Sequence, residues 1–127
     1  MEAKRIISNQ LPDIIEFLGD GSYYYNYDIQ VTTKEETDET TGTIVEVNEY
    51  NFVQVRCFGT PDYKTLVKTV IRAFIDESEE FDLVNTYNEG VISGEEIDNS
   101  KYFDYLDTRS AIKQKIKLDL KSLGYLD

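Results

Sequence analysis

The chain has 127 residues, 40% of them hydrophobic, and a formal net charge of −12, a composition typical of one globular domain. It contains no histidine and a single cysteine, Cys57, which excludes Ser-His-Asp and Cys-His catalysis, an internal disulfide and a cysteine zinc site. The negative charge argues against nucleic acid and anionic membranes as partners, because binding to phosphate needs a basic surface.

The first segment, from Arg5 to Phe17, has two interpretations. Its apolar residues recur at roughly helical spacing, and Pro12 is suited to the first turn of a short helix. Residues 9–12 are equally compatible with an extended link between two short pieces. Gly19 and Gly21 then interrupt the chain.

A β region follows. From Tyr23 to Thr32, apolar or aromatic residues alternate with mostly polar ones, which predicts a strand whose buried face carries Tyr23, Tyr25 and Tyr27. Residues 34–42 are polar and predict a hairpin loop. The next β region, up to Cys57, is either one long strand or two strands separated by a turn at Asn48-Glu49. Such short connections predict an antiparallel meander of two to three strands.

Three helices are predicted after this region. Thr60 as capping residue and Pro61 at the first helical position predict the start of an amphipathic helix of about 15 residues. A second helix begins near Asp76 or Ser78, turns Phe81, Val84 and Tyr87 inward and stops at Gly90. The last and longest helix runs from residues 99–100 to Gly124. We therefore predict one α+β domain over residues 1–127, with the meander packed against two to three helices and a long C-terminal helix.

Charge is distributed unevenly along the helical half. Residues 73–100 contain nine acidic residues and no lysine or arginine, whereas residues 108–121 contain five basic residues against Asp119 alone. Such blocks are able to pair within the fold, between copies or with a partner. The acids lack the spacing of a calcium loop, so we expect no metal and no cofactor. Cys57 is expected to be buried.

The candidate binding residues lie in two places. The expected contact surfaces are the exposed face or edge of the sheet near the first strand and the basic end of the last helix. Tyr102 and Tyr105 belong to the apolar stripe of that helix, and long helices with such a stripe commonly self-associate or dock on partners. These candidate protein-binding residues are Tyr24, Asn26, Asp28, Tyr102, Tyr105, Arg109, Lys113 and Lys117. No residue is assigned a catalytic role.

The order of elements over residues 23–120 resembles that of small proteins encoded beside tail-fibre genes in prophages. The similarity includes Tyr25-Asn26-Tyr27-Asp28-Ile29, Tyr50-Asn51-Phe52-Val53, the helix from Pro61 to Arg72, and residues 79–85. The closing stretch, residues 102–109, is similar to the aromatic-and-arginine end of tail-fibre assembly proteins, which often have tryptophan where Tyr102 stands. The resemblance implies a phage tail protein as partner and no catalytic residue.

Our first hypothesis is a non-enzymatic protein-binding or assembly protein, cytoplasmic or associated with a virion, whose partner is a tail component or another copy. The second is a small hydrolase that uses carboxylates and a bound metal, which requires several acids with raised pKa values in one pocket. The third is an acidic inhibitor that imitates nucleic acid, which requires the acids of residues 73–100 to line one face.

Overall fold

The computed structural model describes residues 1–126, and these divide into two compact units. Residues Arg5–Gly59 form a sheet unit, and Met1–Lys4 together with the chain from Thr60 onward form a helical unit. The elements confirm an α+β protein. They are β1 (Ile6–Ser8), β2 (Ile15–Phe17), β3 (Ser22–Thr37), β4 (Ile44–Phe58), α1 (Tyr63–Phe74), α2 (Glu77–Ser93) and α3 (Ser100–Ser122). The single domain predicted over residues 1–127 stays a prediction.

The sheet has four strands in the described residues, in the order β1-β4-β3-β2, and every neighbouring pair is antiparallel. The prediction of two to three strands was therefore too low. The two extra strands come from the segment Arg5–Phe17, where the extended interpretation is confirmed and the helix is wrong. Each has three residues, too few for an alternating pattern to show, and each is held by pairing with a longer strand.

The long hairpin of β3 and β4 extends further than its polar sequence predicted. Residues 34–37 are part of β3, not of the loop, and pair with residues 44–47 of β4. The turn is limited to residues 38–43, where the Asp38 N–H donates to the Thr43 carbonyl at 2.8 Å and Gly42 has a φ of 69°. No turn interrupts β4 at Asn48-Glu49, so this region is one long strand.

A β-bulge divides this hairpin. Tyr27 pairs with Val53 and Gln30 with Asn51, so β3 contains one more residue than β4 over this interval. Asp28 lies at the bulge with a φ of 53°, in the left-handed region that aspartate tolerates better than most residues. Before the bulge Tyr23, Tyr25 and Tyr27 are buried, as predicted, and Cys57 on β4 is also buried. Beyond the bulge, β3 and β4 continue as a ribbon with no buried residue.

Helix α1 is amphipathic, as its sequence predicted. Leu66, Val67, Val70 and Ile71 repeat at helical spacing and are buried. The cap is Asp62 and not Thr60, because the Asp62 carboxylate accepts the N–H of Thr65 at 3.1 Å. The helix therefore begins two residues later than predicted and is 12 residues long.

Helix α2 begins at the predicted place, with Asp76 as its cap and the Glu79 N–H donating to the Asp76 carboxylate at 2.8 Å. It does not stop at Gly90. It ends at Ser93, where Gly94 takes the left-handed conformation with a φ of 70°. Gly90 has another role: a Cβ there would lie 2.7 Å from Cδ1 of Ile97.

Helix α3 confirms the long C-terminal helix, with 23 residues and a left-handed Gly124 just beyond its end. Tyr105, Ile112, Ile116 and Leu120 form its buried stripe. Its contacts with α1 and α2 organise the helical unit.

Candidate functional site

The predicted binding face of the first strand is largely structural. Asn26 is only 1% exposed, so its prediction as a surface residue was wrong. Its side-chain amide donates to the Asp13 carbonyl at 2.6 Å, and its side-chain oxygen accepts a hydrogen bond from Gln54 at 3.1 Å. The alternating pattern gave the correct side of the strand, but it could not show that residues 13–14 lie beside Asn26 and cover it.

Asp28 also has a structural role, because it stabilises the bulge together with Arg5. The guanidinium of Arg5 donates to the Asp28 backbone carbonyl and lies 3.3 Å from the Asp28 carboxylate. The same guanidinium donates to the side-chain oxygen of Asn51 on β4 at 2.6 Å. Of the three candidates on this strand, only Tyr24 is half-exposed without such an anchoring role, and it pairs with Glu16 and Arg56 in the sheet.

The aromatic candidates on α3 belong to a cluster that the sequence did not predict. Tyr102 stacks on Tyr87 of α2, with ring centroids 4.3 Å apart and planes 15° apart. Phe103 meets the edge of Tyr87 at 6.3 Å and is 53% exposed, while Tyr105 lies 6.3 Å from Tyr102. We call Tyr87, Tyr102, Phe103 and Tyr105 the aromatic cluster. It is formed where α2 contacts α3.

Tyr105 is the buried member of this cluster, only 5% exposed, and its role in protein binding stays a prediction. Its hydroxyl donates a short hydrogen bond to Glu80, whose other carboxylate oxygen accepts from Arg72 at 2.8 Å. Burial, with the Glu80 carboxylate beside it, raises the pKa of Tyr105 to about 12. Burial also opposes ionisation of Glu80, but the hydrogen bonds from Tyr105 and Arg72 outweigh it and lower the Glu80 pKa.

A cleft of about 590 Å³ opens beside the exposed part of the aromatic cluster. The stacked pair Tyr87 and Tyr102 lines it together with apolar side chains, and most of its charged side chains are acidic. The carboxylates that line it belong to Glu2, Glu79, Asp82, Asp98 and Asp104, against one lysine, Lys101. Asp104 forms a salt bridge with the amine of Met1 at 2.6 Å, and the other four carboxylates form no salt bridge within residues 1–126. We call this the acidic aromatic cleft.

Hydrogen bonds shift the pKa values of two carboxylates of this cleft. The Ser100 N–H donates to Asp98 at 3.0 Å, and this hydrogen bond lowers the pKa of Asp98. The pKa of Glu79 is raised by its hydrogen bond with the Asp76 side chain and by that neighbour's charge. The pKa values of Asp98 and Glu79 are therefore shifted in opposite directions.

The acids of residues 73–100 are divided between surfaces. Glu79 and Asp82 line the acidic aromatic cleft, whereas Glu80 points toward Arg72 and Tyr105. An inhibitor that imitates nucleic acid needs these charges on one face, so this arrangement gives the third hypothesis no support.

Helix α2 exposes apolar side chains, among them one that was expected to face inward. Within this helix no residue is buried; Phe81 is 67% exposed and Ile92 is 86% exposed. The expectation that Phe81 faces inward was therefore wrong, while Val84 and Tyr87 are half-buried. The apolar residues of α2 are spread around the helix and do not form one stripe, so no single orientation buries them all.

The basic candidate residues of α3 do not line the acidic aromatic cleft. Arg109 and Lys113 line a second cleft with residues of α1, and the ammonium of Lys117 lies 5.7 Å from the ring centroid of Tyr63. The α1 lysines that share this cleft were not among the predicted site residues, since only the folded chain brings α1 beside α3.

Residues 1–126 contain neither a membrane-spanning helix nor a metal-binding group. No helix there combines the length and the apolar composition that crossing a bilayer requires. The same residues contain no group of three or more cysteine or carboxylate side chains able to hold a metal ion.

Comparison with known proteins does not assign this chain to a family. No protein-family model matches the chain, and neither a curated protein nor a solved structure matches it. The resemblance of residues 23–120 to proteins encoded beside tail-fibre genes stays a prediction that rests on the residues quoted for it.

Proposed function

We propose that this chain is a non-enzymatic protein-binding or assembly protein, and that its acidic aromatic cleft binds a basic segment of a partner protein. The observation that carries the proposal is the combination, in one cleft, of two stacked tyrosines with a group of carboxylates. This is the chemistry that recognises lysine and arginine side chains.

The two components of the cleft act on different parts of such a side chain. An ammonium or guanidinium group placed over a tyrosine ring is attracted by the negative face of the ring. Carboxylates such as Asp82 and Asp98 accept its N–H groups, and charge-assisted hydrogen bonds are stronger than neutral ones. Because the pKa of Asp98 is lowered, this carboxylate stays ionised over a wide pH range.

The exposed ring of Phe103 supplies further contact area beside the cleft. Phe103 belongs to the aromatic cluster, whose stacked pair lines the cleft, and it is more than half exposed. Buried aromatic side chains contribute most of the binding energy in many protein interfaces, and their polar surroundings contribute less. A partner that covers these rings gains affinity that charge alone does not provide.

The resemblance supports a phage tail component as the class of partner, and a second copy of the chain is the alternative. The test is a pull-down with the tagged protein from a lysate of the source organism after prophage induction, followed by identification of the enriched proteins. Tail-fibre or baseplate proteins enriched over a mock sample are the expected result. A lysate that yields no virion protein contradicts the phage assignment.

Two charge-reversed variants locate the binding surface in the same experiment. Asp82→Lys places a positive charge in the cleft, and Glu39→Lys makes the same change on the exposed hairpin turn. We expect Asp82→Lys to lose the partner and Glu39→Lys to retain it. If both variants retain the partner equally, the acidic aromatic cleft is not the binding site.

A further inference from the structure

The second cleft of the helical unit has the opposite charge to the rest of the protein. It has a volume of about 330 Å³ and lies between α1 and α3. Five cationic side chains and one carboxylate line it, an excess of four positive charges in a chain whose net charge is −12. We call it the basic cleft; its charged residues are Lys64, Lys68, Arg72, Arg109, Lys113 and Glu80.

Most of these positive charges have no partner in the described chain. Arg72 forms a salt bridge with Glu80, at 2.8 Å, which accounts for the only carboxylate of the cleft. The charged groups of Lys64, Lys68, Arg109 and Lys113 form no salt bridge with any carboxylate of residues 1–126, and Arg109 only adds to the positive field around Glu80. Since acids outnumber bases almost two to one in the sequence, four unpaired cations at one place call for an explanation.

The cations are also arranged as two matched pairs. Lys64 and Lys68 are four residues apart on α1, and Arg109 and Lys113 are four residues apart on α3. Side chains at this spacing lie on the same face of a helix, and like charges so placed destabilise it. The repulsion within both pairs is relieved when an anion lies between the two helices.

The rest of the lining limits what kind of anion fits. Val67 and Ile71 are buried and supply apolar lining, and Tyr63 also lines the cleft. The volume is at the lower end of the range of small-molecule sites. A long polyanion such as nucleic acid is disfavoured, because it would extend beyond the basic cleft over the acidic surface of the protein.

We infer that the basic cleft binds a small molecule that carries at least two negative charges, as phosphate or carboxylate groups. The negatively charged groups of this ligand lie between Lys64 and Lys68 of α1 and Arg109 and Lys113 of α3. This site uses other residues than the acidic aromatic cleft, so the inference does not depend on the proposed partner protein.

The test is an NMR titration of the isotope-labelled protein at low ionic strength, where exposed charges are least screened. Inorganic tripolyphosphate and citrate serve as the two probes and distinguish phosphate from carboxylate ligands. We expect at least one of them to bind saturably, with shifts centred on residues 63–72 and 109–113. Neither probe binding, or shifts that never saturate, would overturn the inference.

Two double variants distinguish specific binding in the basic cleft from nonspecific attraction of anions to exposed lysines. Lys64→Gln/Lys68→Gln removes two charges from the cleft, and Lys4→Gln/Lys121→Gln removes two exposed charges elsewhere. We expect the cleft variant to weaken binding at least about tenfold and the control to leave the dissociation constant unchanged. Equal weakening in both variants would contradict the site.

The same variants test whether residues 73–100 of a second copy, which are rich in acidic residues, occupy the basic cleft instead. Sedimentation analysis of the wild-type protein is expected to show no association that depends on the cleft lysines. An oligomer that dissociates in Lys64→Gln/Lys68→Gln and persists in Lys4→Gln/Lys121→Gln would assign the basic cleft to self-association, and the small-anion inference would fall.

Discussion

The hydroxyl of Tyr105 on α3 donates a hydrogen bond to the carboxylate of Glu80 on α2, and the other oxygen of that carboxylate accepts from Arg72 on α1. One carboxylate thus links all three helices. Tyr105 is almost fully buried, whereas Arg72 and Glu80 are partly exposed where they line the basic cleft.

Replacing Tyr105 with phenylalanine removes one donor from this link and leaves the ring in place. Hydrogen bonds to charged groups contribute about 1.5–3 kcal/mol, so we expect a loss of that order in the free energy of unfolding, measured by urea denaturation. Tyr24→Phe is the matched control, because Tyr24 is half-exposed and its change should stay within about 0.5 kcal/mol. Equal losses in both variants would contradict a stabilising role for the bond.

The same bond predicts a dependence of stability on alkaline pH. The folded state raises the pKa of Tyr105 from its ordinary 10.0 to about 12, so it favours the protonated phenol. The stabilisation that Tyr105 provides is therefore complete below the pKa of tyrosine in the unfolded chain. It is lost as the pH rises through the pKa of Tyr105 in the folded protein. The stability difference between wild type and Tyr105→Phe should shrink over that interval, as unfolding at several pH values will show. A constant difference would contradict the raised pKa.

Asn26→Ala should destabilise the sheet unit without affecting binding. The substitution leaves the Asp13 carbonyl and the Gln54 amide without the partner that Asn26 now provides. Loss of a buried partner costs about 1–3 kcal/mol, which thermal or urea unfolding will detect. Asn48→Ala, at an exposed position of β4, is the control and should cost little. Partner binding by the folded Asn26→Ala protein should match wild type, whereas a surface role predicts its loss.

The bulge at Asp28 makes a prediction about backbone strain. Valine tolerates a positive φ poorly, while asparagine adopts it readily, so the two substitutions separate backbone conformation from charge. We expect Asp28→Asn to cost under about 1 kcal/mol, since the ion pair with Arg5 is partly exposed. Asp28→Val should cost about 1–3 kcal/mol more, from strain, as measured by chemical denaturation. Similar losses for the two variants would show that the charge is the larger factor.

Local patterns predicted most of the elements and few of the contacts between them. The alternation in β3 and the repeat of apolar residues in α1 depend on neighbouring residues, and both predictions were confirmed. Gly90 and Gly94 show where such patterns fail. Both are glycines near the end of α2, but Gly94 is needed for its left-handed φ and Gly90 for the close approach of Ile97. Sequence alone could not tell these two reasons apart.

The candidate site shows the same limit. Tyr102 and Arg109 were selected from sequence, but the structure assigns them to two clefts of opposite charge. Their neighbours, Tyr87 on α2 and Lys68 on α1, are distant in sequence and carry no motif. Asn26 was expected at the surface because it alternates with the buried tyrosines, whereas Tyr105 belongs to the predicted apolar stripe of α3. Both are buried, and specific hydrogen bonds satisfy their polar atoms.

The ribbon beyond the bulge has a consequence for the motions of the sheet. Neither β1 nor β2 pairs with residues 32–37 or 44–49, so within the described chain this part of the hairpin has two strands and two open edges. Isolated two-stranded hairpins are marginally stable in water. The ribbon should open and close locally while residues 22–27 stay paired, and its backbone amides should exchange with deuterium much sooner than those near Tyr25. This opening should stop near the bulge, because Arg5 donates hydrogen bonds there to Asp28 on β3 and to Asn51 on β4.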